Sequence, residues 1–137
     1  MICRKTLLSN GLFGVRRPDP PQPLLVVSRI GFALAISVTI WLSLAPLSGL
    51  HSAASIPDVL SHFIGYAGLG ALAIASGLRP LTAFFLLVVF GALLEIVQGA
   101  SGHRFFEFKD IAVNALGLIA GITLVVFLRR TIFGLRM

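Results

Sequence analysis

The chain has 137 residues, of which 57% are hydrophobic and 12% are charged, with a net charge of +6 and a mean hydropathy of +0.99. A soluble domain of this size exposes too much surface to keep so much apolar material out of water, so an ordinary soluble protein is excluded. The basic residues flank apolar segments and are not interleaved with stacking aromatic residues, which argues against nucleic-acid binding. The single cysteine, Cys3, excludes an internal disulfide framework.

Residues 1–23 are polar, basic and proline-rich, and they are predicted to form a flexible tail. Four apolar segments follow, each near the roughly 20 residues that cross about 30 Å of hydrocarbon. Backbone groups in lipid must pair within their own segment, so helices are expected. The predicted fold is therefore all-α, a membrane-embedded bundle of four transmembrane helices within residues 24–128, followed by a basic tail at 129–137. The predicted spans are 24–47, 59–78, 80–98 and 110–128.

The first span has an alternative interpretation as a cleaved signal peptide, because a basic flank precedes it and Ser52, Ala53 and Ala54 follow it. Its apolar core is longer than the 7–15 residues typical of signal peptides. An uncleaved span is therefore the favoured prediction, and in either case the second span begins outside.

The distribution of lysine and arginine predicts the orientation. Only Arg104 and Lys109 lie in the links on one predicted side of the membrane, whereas nine basic residues lie on the other. These nine are Arg4, Lys5, Arg16, Arg17, Arg29, Arg79, Arg129, Arg130 and Arg136. The positive-inside rule then places both termini in the cytoplasm. In a bacterium, the two links on the other side would face the periplasm or the cell exterior.

Polar residues gather on the predicted outer side, where residues 95–114 hold three of the five acidic residues. Helix geometry brings His62 of span two, Glu95 of span three and Asn114 of span four to similar depths, roughly 6–8 Å below the outer surface. These residues predict a polar pocket in the outer leaflet. The predicted ligand-binding residues are Asp58, His62, Tyr66, Glu95, Gln98, Arg104, Asp110 and Asn114.

A purely structural interpretation stands beside this pocket. Asp58 and Asp110 are each placed to cap a helix N-terminus, and Asn114 could bond across helices. Glu95 and Arg104 could form a plain ion pair, and Tyr66 suits a packing role better than a chemical one. The phenylalanines at 105, 106 and 108 suit either a loop that dips into the headgroup region or a hydrophobic lid.

Small residues on span four form a second pattern, the GxxxG of Gly117 and Gly121. Such residues allow helices to approach closely. Packing within the chain is the favoured use, and a homodimer or a larger membrane complex is the alternative.

The run D-x-x-x-H-F-x-x-Y at Asp58, His62, Phe63 and Tyr66 resembles the first motif of the VanZ-like family of small bacterial polytopic membrane proteins. The later E-x-x-Q, an arginine and D-x-x-x-N-x-x-G-x-x-x-G resemble the second half of that family's pattern. These positions are Glu95, Gln98, Arg104, Asp110, Asn114, Gly117 and Gly121. The chain departs from the family at Val59, where a lysine is common, and so lacks one cationic contact.

The resemblance implies a membrane protein of the cell envelope, because the family's namesake is associated with resistance to the glycopeptide teicoplanin. The first functional hypothesis is binding or modulation of an envelope amphiphile, such as a membrane lipid or a lipid-linked precursor. Arg104, Lys109 and His62 would contact its phosphate or sugar hydroxyls.

Two other functions compete with binding. One is a hydrolase or transferase that acts on a lipid headgroup, with His62 or Glu95 as general base and Arg104 stabilising negative charge. The other is a structural subunit of an envelope complex. No cofactor is expected, and no metal site is predicted, because the carboxylates and His62 form no compact ligand motif in the sequence.

Overall fold

A computed structural model describes residues 22–44, 58–100 and 107–133 of the chain, and these residues form four α-helices. The helices are α1 (Gln22–Leu44), α2 (Asp58–Ala75), α3 (Pro80–Ala100) and α4 (Phe108–Phe133). Each is long and apolar enough to cross a membrane, and no strand occurs in the described ranges. The predicted all-α bundle of four transmembrane helices is therefore confirmed.

The helix ends differ from the predicted spans by a few residues. Helix α1 covers Gln22–Leu44 against a predicted span of 24–47, and residues 45–47 lie outside the described part of the chain. Helix α2 stops at Ala75 instead of residue 78, and α4 continues beyond residue 128 through Arg129 and Arg130 to Phe133. Hydropathy locates the apolar centre of a span, whereas capping contacts set where the helix stops.

A glycine turn ends α2 and reverses the chain into α3. Gly77 has a φ of +99°, and its N–H donates to the carbonyl of Ile74 at 3.1 Å. The N–H of Leu78 donates to the carbonyl of Ala73, also at 3.1 Å. This pair of bonds is a Schellman motif, in which glycine tolerates the left-handed conformation. Pro80 then occupies the first turn of α3, where its missing N–H costs nothing.

Helices α2 and α4 run parallel and make the most extensive contact in the bundle. A Cβ atom added to Gly117 would lie 2.5 Å from the carbonyl oxygen of Phe63, and one added to Gly121 would overlap the carbonyl oxygen of Ala67. On the opposing helix, a Cβ added to Gly70 would lie 3.0 Å from the carbonyl oxygen of Leu118. The structure thus uses the GxxxG of α4 within the chain, where the two backbones touch.

Two arginines gather at the end of the bundle that holds the α2–α3 turn. Arg29 Nε donates to the carbonyl oxygen of Ser76, and Arg129 Nη2 donates to that of Ala75, both at 3.4 Å. Cations favour the C-terminal end of a helix, where unpaired carbonyls carry partial negative charge. Since Arg29 belongs to α1 and Arg129 to α4, the start of α1 and the end of α4 lie at this same end.

The apolar core lies between α2, α3 and α4, with Leu69, Leu87 and Leu118 almost fully buried. Helix α1 has no buried residue and lies at the periphery. Large apolar side chains cover the outside of the bundle, including Trp41 and Leu81, which are 63% and 71% exposed. Such an apolar exterior suits contact with lipid tails.

Candidate functional site

Five polar side chains meet at the end of the bundle opposite to Arg29 and Arg129. They are Asp58 and His62 of α2, Glu95 of α3, and Asp110 and Asn114 of α4, and together they are called the polar cluster below. Asp110, Asn114 and Glu95 are buried, with exposed fractions of 4%, 1% and 3%. Inserting a charged residue costs about 2.5–3.5 kcal/mol at the centre of a bilayer and less near its surface. Buried ionisable residues in helices that can span a membrane therefore indicate a candidate functional site.

His62 lies at the centre of the polar cluster and faces residues from two neighbouring helices. Its Nδ1 lies 3.0 Å from Asn114 Oδ1 and 3.8 Å from Glu95 Oε1. Its Nε2 lies 3.8 Å from Asp58 Oδ1, one turn earlier on the same helix. Because both groups that face Nδ1 are acceptors, this nitrogen carries the hydrogen and donates to Asn114.

Two buried atoms of α4 have no hydrogen-bond partner among the described residues. They are Asp110 Oδ1, an acceptor, and Asn114 Nδ2, a donor. The two side chains are four residues apart and therefore lie on one face of the helix. Leaving a buried polar group unsatisfied costs about 1–3 kcal/mol. An acceptor and a donor on one face can together hold a group that both donates and accepts.

Tyr66 and Gln98 border the polar cluster. Tyr66 is buried one turn below His62, and a Cβ added to Gly91 of α3 would lie 2.9 Å from its hydroxyl oxygen. Gln98 Nε2 donates to the carbonyl oxygen of Ser43 at 3.1 Å and so ties α3 to the end of α1. The structure therefore gives Tyr66 a packing contact and Gln98 an interhelical bond.

Lys109 lies outside the polar cluster. Its ammonium pairs with the carboxylate of Glu107, and its side chain is 60% exposed. Ser61 Oγ donates to the carbonyl of Asp58 at 2.7 Å, so it forms no pair with His62. Arg104, which the sequence places in the pocket, lies outside the described residues, as do Phe105 and Phe106.

The sequence already indicates that Asp58 and Asp110 lie at the same end of the bundle. Helix α2 begins with D-x-x-x-H, and D-x-x-x-N occurs at the start of α4. Spans two and four of a four-span protein must run in the same direction, so both motifs lie at the same end. The similar spacing then puts the two aspartates at one level and His62 level with Asn114.

Comparisons of the chain with protein-family models, with curated proteins and with solved structures found no match. Its function is therefore inferred from the polar cluster and from the chemistry that these side chains offer. What the described residues establish is a protein of four helices that can each span a membrane, with a buried polar cluster at one end.

Proposed function

We propose that this chain is a VanZ-like, multi-pass protein of the bacterial cytoplasmic membrane that binds a cell-envelope amphiphile by its headgroup. The observation that carries the proposal is that two buried atoms, Asp110 Oδ1 and Asn114 Nδ2, have no hydrogen-bond partner within the described part of the chain. A hydroxyl group both donates and accepts, so one hydroxyl, or two on a sugar ring, satisfies this pair. The apolar exterior of the helices suits the tail of the same ligand.

The charges of the polar cluster favour a hydroxylated headgroup over a bare phosphate. Its described members include three carboxylates, from Asp58, Glu95 and Asp110, and the nearby Lys109 pairs with Glu107. Carboxylates accept hydrogen bonds strongly from hydroxyl groups and repel phosphate oxygens. A sugar or another polyol at the membrane surface is therefore the headgroup class that we assign to the site.

Ligand-dependent unfolding tests this headgroup class. The full chain is purified in a detergent whose headgroup is not a sugar. Its thermal unfolding is then measured with added monoglucosyl diacylglycerol and, separately, with diacylglycerol of the same acyl chains. We expect the glycolipid to stabilise the protein by about 2.7 kcal/mol at a concentration 100-fold above its Kd, and the diacylglycerol to give no comparable shift.

Two variants assign the shift to the polar cluster. His62→Leu removes the central donor and is expected to abolish the difference between the two lipids. Ser76→Ala changes a buried polar residue at the opposite end of the bundle and should keep it. Equal shifts by both lipids in the wild-type protein would rule out headgroup recognition.

The orientation that this function requires places the polar cluster on the outer side of the membrane. The arginines at the opposite end of the bundle support this orientation through the positive-inside rule. Phe108 lies at the polar end and is 79% exposed. With Cys3 replaced by serine, a Phe108→Cys variant should react with a membrane-impermeant maleimide in intact cells. A Met137→Cys variant in the same background should react only after permeabilisation, and the reverse pattern would contradict the orientation.

A further inference from the structure

Three ligating side chains of the polar cluster converge at the N-terminal ends of α2 and α4. Asp58, His62 and Asp110 each offer one ligand atom, and the three atoms lie within 4.8 Å of one another. Two ligands of one tetrahedral zinc ion, bound at about 2.0–2.2 Å, are themselves about 3.4 Å apart. Small rotations of the side chains would bring the three atoms to that spacing, and the Asp58 side chain is 44% exposed.

The orientation of the His62 ring is that of a metal-ligating histidine. Its Nδ1 donates to Asn114 Oδ1, so the lone pair that a neutral imidazole offers to a metal ion is the one on Nε2. The same Nε2 lies 3.8 Å from Asp58 Oδ1. Histidines that bind metals commonly donate their other ring nitrogen to a carbonyl or a carboxylate, which fixes the ring. Asn114, with Glu95 behind it, supplies that support here.

Asp110 provides a second observation that points to a ligand. Its side chain is buried, with 4% of the residue exposed, and its Oδ1 has no hydrogen-bond partner among the described residues. A carboxylate oxygen buried in this way is costly unless a cation or a donor satisfies it. The neighbouring ligand atoms are another carboxylate oxygen and an imidazole nitrogen, and a cation satisfies all three at once.

We propose that Asp58, His62 and Asp110 form a mononuclear site for a divalent transition-metal ion of the zinc class. One imidazole nitrogen and two carboxylate oxygens suit Zn²⁺, whereas a site of oxygen ligands alone would favour Mg²⁺ or Ca²⁺. Three protein ligands leave a fourth position open. Binding of the ion does not depend on which amphiphile the pocket takes.

Zinc titration of the full chain tests the site. The protein, prepared in detergent without a polyhistidine tag and stripped with a chelator, is titrated with Zn²⁺ against a chromophoric competitor, with no lipid added. We expect one high-affinity equivalent in the wild-type protein. Asp110→Asn and Asp58→Asn should each weaken it by at least about 100-fold, since even the loss of a supporting partner costs 10–100-fold.

Two variants test whether Asp58, His62 and Asp110 are the residues that bind the zinc. Glu107→Gln removes a carboxylate at the same end of α4 that is not one of the three ligands, and it should bind Zn²⁺ as the wild-type protein does. Asp58→Asn changes a side chain that is 44% exposed, so it should fold even where the buried change Asp110→Asn does not. The site is refuted by a wild-type protein that takes up no zinc, or by an Asp58→Asn variant that binds zinc as tightly as the wild type. Because no lipid is present, either result leaves the glycolipid experiment standing.

Discussion

Replacing Gly121 with alanine is expected to give the largest loss of stability of any single methyl group added to the helices. The new Cβ would overlap the carbonyl oxygen of Ala67 and would lie 2.7 Å from its carbonyl carbon. These are backbone atoms, so no side chain can rotate away, and α2 and α4 must move apart. We expect a cost at or above the upper end of the roughly 1–3 kcal/mol of overpacked sites. Unfolding of the purified variant in mixed micelles with increasing denaturing detergent measures it.

Gly68→Ala is the matched control, since this glycine lies on α2 and a Cβ added to it meets nothing within 4 Å. Alanine favours a helix over glycine by about 1 kcal/mol, so this variant should be as stable as the wild type or more stable. If Gly121→Ala unfolds at the same point as Gly68→Ala, the close parallel contact of α2 and α4 is wrong.

The architecture could be predicted from hydropathy because the bilayer leaves few choices. A segment of about 20 apolar residues in lipid must be a helix, and four such segments must alternate in direction. The ends were less predictable, because local contacts decide them. Helix α2 ends at Ala75, just before Gly77 adopts the left-handed conformation. Helix α4 continues through Arg129, whose side chain donates to the carbonyl oxygen of Ala75.

The depth of the site residues also follows from the sequence, because each turn of helix adds a fixed rise. That rule puts His62, Glu95 and Asn114 at one level, and the structure brings the three side chains together. The depth of a residue does not determine how its helix is rotated about its own axis, and therefore does not determine which neighbour its side chain faces. Lys109 pairs with Glu107, one residue before the start of α4, and the depth of these residues does not predict that contact. The packing of α2 against both α3 and α4 decides which polar groups face each other.

Asn114→Leu is expected to have the largest effect on ligand binding. Asn114 is 1% exposed, and leucine fills a similar volume, so the shape of the pocket should survive. The change removes the Nδ2 donor that we assign to the headgroup and the Oδ1 acceptor that orients His62. The headgroup hydroxyl that loses its partner is then left unsatisfied in a buried site at a cost of about 1–3 kcal/mol, so the amphiphile should bind roughly 10- to 100-fold more weakly.

A structural role for Asn114 predicts a different result. If this side chain served only to join α2 and α4, leucine would lower the free energy of unfolding without changing what the protein binds. Measuring stability and ligand occupancy on the same preparation separates the two interpretations. Ser76→Ala, which alters a buried polar group at the opposite end, serves as the control for both quantities.

Native mass spectrometry of the protein released gently from its membrane tests headgroup recognition most directly, because it weighs the ligand together with the chain. The wild-type protein and Ser76→Ala should both carry one distinct lipid-like mass, which fragmentation resolves into a hydroxylated headgroup and an apolar tail. Asn114→Leu should lose that mass while keeping the bulk phospholipids that coat the helices. An identical set of bound masses on all three proteins would contradict a ligand site in the polar cluster.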